Sequence, residues 1–385
     1  MKQIEPANST FARDSTASAL DLGYVPALDG LRGIAILVVM AFNGHLLGMQ
    51  GGFVGVDIFF VLSGFLITSI LIQGRDRSSG MGLKNFYFRR ALRLLPALFA
   101  LMLFCVVFAL IFQPEKASNT LKGVLYTLFY VANWAQSPPM EPGIGPLSHA
   151  WSLSVEEQFY IVWPLVLLVL MRIKSKGVVL TILLSLITAS VAISVWLWQA
   201  QVPFLRMYFG SDTRAHELLI GCVAAILLFW GAFQNTNRLK IAFHLLSGIS
   251  IVGILLSLFL IRHNTAFVYN GGFALVCIGT AALIIDIVVF PSKLSRSFEF
   301  APLVWIGKIS YGLYLWHYPV FEASRRLFDG RIPPILYQVI GVLTTILVAT
   351  ASYYLLEKPF LRLRRRFATD ETAAASIMSR SAVGV

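Results

Sequence analysis

Long apolar runs separated by short polar segments dominate this chain. Two of the clearest extend from Ala97 to Phe112 and from Val178 to Trp198. A helix of about 20 apolar residues is long enough to cross the ~30 Å hydrocarbon core of a bilayer. Ten segments fit this pattern and are predicted as transmembrane helices: residues 30–48, 53–74, 94–113, 158–171, 177–199, 214–231, 241–261, 268–290, 303–321 and 335–356.

One more apolar segment, residues 122–134, is too short to cross comfortably. We interpret it as a re-entrant or interfacial segment, which is tolerated at membrane depth when protein surrounds it. An eleventh span is the alternative. It would place the basic residues that follow the fourth span on the opposite side of the membrane.

The composition agrees with a membrane protein. Hydrophobic residues make up 57% of the 385, charged residues only 13%, and the mean hydropathy is +0.75, whereas soluble domains carry about 25% charged residues. We predict an all-α fold, a polytopic membrane helical bundle of about ten transmembrane helices plus a re-entrant segment. The membrane domain would cover residues 24–360, between a disordered cytosolic tail at 1–23 and a basic, largely disordered one at 361–385.

The net charge of +12 does not indicate nucleic-acid binding, because the basic residues lie mainly in loops between apolar runs. With ten spans and both termini in the cytosol, most of these loops face the cytosol, as the positive-inside rule requires. The first 25 residues contain no apolar core of a cleavable signal peptide. Cys105, Cys222 and Cys277 lie inside apolar runs without metal-ligand spacing, so no metal site is expected.

Arg32 and Asn43 are polar residues within the first predicted span. Eleven residues rotate an α-helix by about 20° beyond three full turns, so the two share one face about 16 Å apart. His45 would lie about 200° from position 43, on the opposite face. A snorkelling Arg32 and an Asn43 that bonds a neighbouring helix are the structural alternatives.

Charged residues also mark the second and third spans. Asp57 lies inside the second, where a carboxylate is a functional candidate, with a structural partnership to an arginine as the alternative. Arg89, Arg90 and Arg93 cluster at the start of the third. Arg89 and Arg93 are i,i+4 neighbours that could hold one anion together, although a basic loop that sets topology would account for part of the cluster.

Two further segments contain candidate residues. Ser154 and Glu157 have the spacing of a helix capping box, which leaves Glu156 without a structural explanation. His317 lies deep in the ninth predicted span, where it is either functional or a satisfied core residue.

Taken together, these segments resemble the acyltransferase-3 family of integral membrane O-acyltransferases. The resemblance covers most of the chain, from Leu28 to Pro359. It rests on seven motifs in order: LDGLRGIAILVVMAFN, GGFVGVDIFFVLSGFLIT, FYFRRALRLLP, WSLSVEEQFYIVWP, SDTRAHELLIG, WIGKISYGLYLWHYP and LEKPF.

The resemblance implies transfer of an acyl group, commonly acetyl, from cytosolic acyl-CoA to a hydroxyl of a sugar, glycan or lipid-linked acceptor. The protein would then lie in a bacterial inner membrane among its lipids, with no permanently bound cofactor. The implied donor site holds the acyl-CoA phosphates on Arg89, Arg90 and Arg93, and the implied catalytic set is Arg32, position 43, Asp57, Glu156 and His317.

The chain departs from the family at position 43, where the family has its catalytic histidine and this sequence has Asn43. An amide cannot take a proton from a hydroxyl at useful pH, whereas an imidazole can. We therefore expect impaired catalysis, by an engineered change or in a natural pseudoenzyme, unless another residue supplies the base. A non-catalytic partner protein and a transporter or flippase are the alternative functions.

Overall fold

A computed structural model describes residues 22–46, 48–76, 83–138, 144–233, 236–360 and 362. Those residues are largely α-helical and include no β-strand. The predicted tails lie almost wholly outside them. The helices are α1 (Pro26–Asn43), α2 (Val54–Asp76), α3 (Leu83–Phe112), α4 (Ala117–Leu128), α5 (Ala132–Ala135), α6 (Trp151–Leu170), α7 (Lys176–Gln199), α8 (Phe204–Phe209), α9 (Ser211–Phe229), α10 (Asn237–Leu260), α11 (Phe273–Val289), α12 (Lys293–Ser297), α13 (Ala301–Lys308), α14 (Ser310–Phe328) and α15 (Pro334–Ser352).

Short 3₁₀ and π turns extend several of these helices. A 3₁₀ turn at Gly145–Ala150 leads into α6, and π turns at Val268–Gly272 and Tyr353–Glu357 precede α11 and follow α15.

Eight helical segments within the described ranges are long and apolar enough to cross a membrane, which confirms a polytopic all-α protein. The two other predicted spans, 214–231 and 303–321, fall on α9 and on α13 with α14. α9 carries Asp212, Arg214 and Glu217 within its 19 residues. The eight segments are Pro26–Asn43, Val54–Gly74, Phe86–Phe112, Gly145–Leu170, Lys176–Gln199, Asn237–Leu260, Val268–Val289 and Pro334–Phe360.

The boundaries predicted for the first, third and fourth spans were wrong. α1 begins at Pro26, because proline suits the first helical position, and ends at Asn43 with Gly44 as its C-cap. α3 begins at Leu83, so its arginines lie within the helix. α6 begins at Trp151, seven residues before its predicted start at 158.

The segment at 122–134 is divided between two short helices. α4 has 12 residues, or about 18 Å at 1.5 Å per residue, which is less than the ~30 Å bilayer core. Tyr130 adopts a φ of 54° between α4 and α5, in the left-handed region that interrupts a helix.

α2 lies at the centre of the bundle, in contact with α1, α6, α9 and α11. About 72% of its most apolar stretch is buried, compared with 22% for α7, α10 and the α15 segment. Apolar side chains therefore point outward from these three helices, as lipid-facing surfaces require.

Glycines allow α2 and α9 to approach closely. A Cβ added at Gly64 of α2 would collide with the Leu218 carbonyl of α9, and one added at Gly221 of α9 would collide with the Val61 carbonyl of α2. Small residues at such crossings let helix backbones pack against each other in membranes.

We predict that Gly64→Ala lowers the melting temperature in detergent, because α2 and α9 must separate to admit the methyl group. Gly248→Ala is the matched control, since its added Cβ meets nothing within 4 Å and alanine favours the helix by about 1 kcal/mol. Equal melting temperatures for the two variants would contradict this account of the crossing.

Candidate active site

A cavity of about 200 Å³ opens among α1, α2, α3, α6 and α14. Arg32, Arg90 and Arg93 line it, and we call it the arginine cavity. Apolar side chains from α2 form much of the remaining wall. Its other polar lining residues are Ser63, Ser152, Glu156, Tyr160, Ser310, Tyr311 and Tyr314.

Arg90 is held by two neighbours on α6. Its Nε lies 2.9 Å and 3.1 Å from the two carboxylate oxygens of Glu157, and its Nη2 also contacts Oε1. The guanidinium carbon lies 3.4 Å from the centre of the Tyr160 ring. A bidentate ion pair and a cation–π contact together fix the guanidinium plane.

The predicted capping box at Ser154 and Glu157 was wrong. Ala150 occupies the N-cap of α6. Ser154 lies inside the helix, where its hydroxyl donates to the Ala150 carbonyl at 3.1 Å. The spacing was misleading because α6 begins earlier than its apolar pattern indicates, and Glu157 is used by Arg90 instead.

The other two arginines of the cavity have little compensating charge. Arg93 has no carboxylate within 4 Å among the described residues, and Arg32 Nη1 lies 3.8 Å from Asp29 Oδ1, long for an ion pair. Glu357 is near enough to interact electrostatically with both. Arg89 is not among the described residues that line the cavity. On α3, Arg90 lies about 60° to one side of Arg93 and Arg89 about 40° to the other.

Glu156 lines the same cavity and accepts a hydrogen bond from Ser63 Oγ at 2.6 Å. It has no cation within 4 Å among the described residues. Arg32 and Glu156, which are far apart in sequence, thus line one cavity.

Asn43 and His317 meet where α1 ends. Asn43 Nδ2 lies 3.2 Å from His317 Nε2 and 3.1 Å from the Val39 carbonyl. His317 Nδ1 lies 2.6 Å from the Tyr314 carbonyl, and His317 is fully buried. Because a carbonyl only accepts, Nδ1 carries the hydrogen of the neutral ring and Nε2 holds the lone pair.

A second cavity, of about 150 Å³, lies at this end of α1 and is called the Asn43 pocket. The prediction that His45 faces away from position 43 was wrong, because α1 ends at Asn43 and His45 follows with a φ of 52°. Both residues line the pocket. Its other lining residues are Gly44, Tyr318, Phe321, Glu322, Arg325, Tyr337 and Gln338.

Asp57 lines neither cavity. It lies between α2 and α9, where Arg214 Nη2 donates to its Oδ1 at 2.6 Å, and Arg214 Nε lies 3.0 Å from Glu217 Oε1. All three side chains are buried. Their contacts fit the structural alternative for Asp57, since charges within a membrane pair with one another.

The two cavities are separated but connected by contacts. Arg32 and Asn43 lie at opposite ends of one face of α1, about 16 Å apart. Tyr314 lines the arginine cavity, and its carbonyl bonds His317, which contacts Asn43 in the other pocket. Tyr314, His317 and Asn43 thus form a line of contacts between the two cavities, and we call these three residues the junction.

Comparisons with known proteins identify the family. Residues 25–354 match the acyltransferase domain of the acyltransferase-3 family. The chain belongs to the acyltransferase-3 family. No solved structure matches it significantly.

Several family relatives have curated names. The peptidoglycan O-acetyltransferase OatA of Listeria monocytogenes is 36% identical over 348 residues, which cover 87% of this chain and 56% of that protein. The O-acetyltransferase OatA of Staphylococcus aureus is 38% identical over 347 residues, 87% of this chain and 57% of that protein. The putative peptidoglycan O-acetyltransferase YrhL of Bacillus subtilis is 35% identical over 382 residues, which cover 94% of this chain and 60% of that protein. The chain thus spans little more than half the length of these relatives.

Sequence reasoning missed several residues of this acyltransferase-3 domain. Arg214 and Glu217 had a detectable signal, because an intramembrane Asp57 requires a cationic partner and Arg214 opens another apolar run. His149 had none. It lies in the 3₁₀ turn before α6 and stacks on Tyr318, with ring centres 5.4 Å apart.

The buried cluster generates a stability prediction. Two carboxyl groups share one guanidinium, so Arg214→Gln leaves both without a cation and should destabilise the fold by about 3–5 kcal/mol. Asp57→Asn leaves Arg214 paired with Glu217 and should cost much less. Folded yield and melting temperature in detergent measure both. A larger loss for Asp57→Asn than for Arg214→Gln would reverse the structural assignment of Asp57.

Proposed function

We propose that this domain is a membrane O-acyltransferase that moves an acyl group, most simply acetyl, from acyl-CoA to a hydroxyl of a glycan or lipid-linked acceptor. The observation that carries the proposal is the pair of cavities beside α1, one lined by Arg32 and the other by Asn43, which are linked through side-chain and backbone contacts at the junction. The names of the relatives, O-acetyltransferases of peptidoglycan among them, support acetyl as the group and a glycan as the acceptor.

The arginine cavity suits acyl-CoA as the donor. Coenzyme A carries phosphate groups, which guanidinium groups bind through paired, charge-assisted hydrogen bonds. Arg32 and Arg93 have little compensating charge, whereas Arg90 is already paired with Glu157. The acylated pantetheine arm would extend along the apolar wall of α2 and bring the thioester towards Tyr314.

The Asn43 pocket suits a sugar-like acceptor. Tyr318, Phe321 and Tyr337 offer ring faces to the C–H face of a sugar, while Glu322 and Gln338 offer hydrogen-bond partners for hydroxyl groups. Arg325 is paired with Glu322 at 2.7 Å and adds a charge for an acidic acceptor.

The orientation follows from the loop charges. Basic residues concentrate in loops on the cytosolic side of bacterial membranes. Arg172 and Lys174 lie between α6 and α7, and Lys176 begins α7. We place the arginine cavity towards the cytosol, where acyl-CoA is available, and the Asn43 pocket towards the outside. Both termini are then cytosolic and the membrane is the bacterial inner membrane.

The donor assignment predicts that Arg93→Gln weakens acetyl-CoA binding by roughly 10–100-fold, because it removes a charged hydrogen bond of about 1.5–3 kcal/mol. Arg89→Gln is the matched control on the same helix and should change the affinity by less than about twofold. Binding of labelled acetyl-CoA to purified protein measures both.

The function itself is tested by transfer of label from acetyl-CoA to a peptidoglycan oligosaccharide, detected as an ester of the sugar. Donor binding without ester formation by the chain and by Asn43→His would contradict the transferase proposal. Equal affinities for the Arg93 and Arg89 variants would contradict the donor site.

The orientation predicts that a single cysteine at Asp329 reacts with an impermeant thiol reagent added outside cells, and that one at Lys174 reacts only after lysis. Both positions are exposed, while the native cysteines are buried and give little background. Outside labelling at Lys174 would reverse the orientation.

A further inference from the structure

Position 43 leaves the proposed reaction without a base where the family has one. The Asn43 amide donates hydrogen bonds, and its nitrogen has no basic lone pair. Both contacts of Asn43 Nδ2 are to acceptors, the Val39 carbonyl and His317 Nε2, so the orientation of the amide is defined. The proton of an attacking hydroxyl must therefore go elsewhere.

His317 is the imidazole best prepared to accept it. The Tyr314 carbonyl holds the hydrogen on Nδ1, which leaves the Nε2 lone pair directed at Asn43. The same Nδ1–H bond persists when Nε2 gains a proton, and it then stabilises the cation. The ionisable side chains around His317 are Tyr314, Tyr318 and His149.

The two other nearby imidazoles are less suited. Like His317, His149 lines neither cavity. Its ring centre lies 5.3 Å from that of His317, but neither ring nitrogen has a hydrogen-bond partner among the described residues that would fix its tautomer. His45 lines the Asn43 pocket, but its side chain is exposed and no hydrogen bond among the described residues orients its ring.

We propose that His317 is the general base of this chain and that the contact between His317 and Asn43 does the work of a histidine at position 43. This inference rests on the proposed function and replaces the expectation that Asn43 disables the enzyme. An acceptor hydroxyl in the pocket displaces the amide as donor to Nε2, and the amide then donates to the hydroxyl oxygen. Asn43 thus orients the nucleophile that His317 deprotonates.

The reaction balances without another reactant. The hydroxyl proton moves to His317 Nε2 as the oxygen bonds to the thioester carbonyl carbon. The carbon–sulfur bond breaks, and the thiolate of coenzyme A leaves. The imidazolium proton returns to that thiolate through solvent, which gives the O-acyl ester, free coenzyme A and neutral His317.

The experiment compares purified variants with labelled acetyl-CoA and a peptidoglycan oligosaccharide, and it records transfer, donor affinity and melting temperature. The unaltered chain should transfer acetyl. His317→Gln should lower kcat by roughly 10²–10⁴-fold, the usual contribution of general base catalysis, with unchanged donor affinity. His244→Gln is the matched control, because His244 lines neither cavity and glutamine can still donate a hydrogen bond to Asp286; it should retain the activity of the unaltered chain. His45→Ala tests the imidazole that lines the Asn43 pocket.

A double variant separates chemistry from packing. Asn43→His with His317→Asn exchanges the imidazole and the amide across the same contact, so it should recover part of the activity that His317→Gln loses. Because the family has its base at position 43, recovery shows that one imidazole at this contact is sufficient. The support for His317 is that the unaltered chain is active and that His317→Asn alone abolishes this activity without lowering the melting temperature.

Three results would overturn the inference. An inactive unaltered chain beside an active Asn43→His variant would return the base to position 43 and leave the proposed function standing; this comparison holds even if His317→Gln fails to fold. Activity abolished by His45→Ala but retained by His317→Gln would assign the base to His45. Donor binding without transfer by every variant would remove the proposed function together with the base.

Discussion

The crossing of α2 and α9 around a buried guanidinium is the constraint on which the rest of the bundle depends. Arg214 lies between Asp57 and Glu217 with almost no exposure to solvent. An unpaired charge in such surroundings is strongly unfavourable. The ion pairs therefore specify the rotation of both helices about their axes, and the glycines at 64 and 221 specify how closely they approach. Since α2 also contacts α1, α6 and α11, this fixed pair positions the helices that form the arginine cavity.

The buried charged residues of this protein fall into two groups, which differ in how closely each charge is paired with an opposite charge. Around Asp57, every charged group faces an opposite charge at short range. In the arginine cavity, among the described residues, Arg93 has no carboxylate within 4 Å, Arg32 has one at 3.8 Å, and Glu156 accepts a hydrogen bond from a serine hydroxyl. A charged side chain that lacks a close opposite charge and borders a cavity is suited to bind a ligand. A charged side chain that is fully paired and packed, such as Asp57, is suited to hold helices together.

Sequence patterns were sufficient for the class of fold, because apolar runs of membrane length need no tertiary information. They also found residues of both cavities and His317, which contacts Asn43, because all of them are polar groups in apolar surroundings. The cavity residues found in this way are Arg32, Arg90, Arg93, Glu156 and Asn43. They could not give the helix ends. An apolar pattern continues through Gly44 and His45 although the helix does not, so the face predicted for His45 was wrong. The pairing of Glu157 with Arg90 could not be predicted either, because it depends on how α3 packs against α6 and not on spacing within one segment.

Helix α14 contributes to both cavities, and Pro319 directly follows Tyr318, the first residue that the helix gives to the Asn43 pocket. Tyr314 faces the arginine cavity, whereas Phe321 and Arg325 line the Asn43 pocket. Proline has no N–H, so the Leu315 carbonyl one turn earlier lacks its usual helical donor, and interior prolines are where helices bend. The outer half of α14 can thus bend relative to the inner half, where Tyr314 contacts Ser152 of α6. A bend at this point would change the width of the Asn43 pocket and leave the arginine cavity as it is, so the two spaces need not open together.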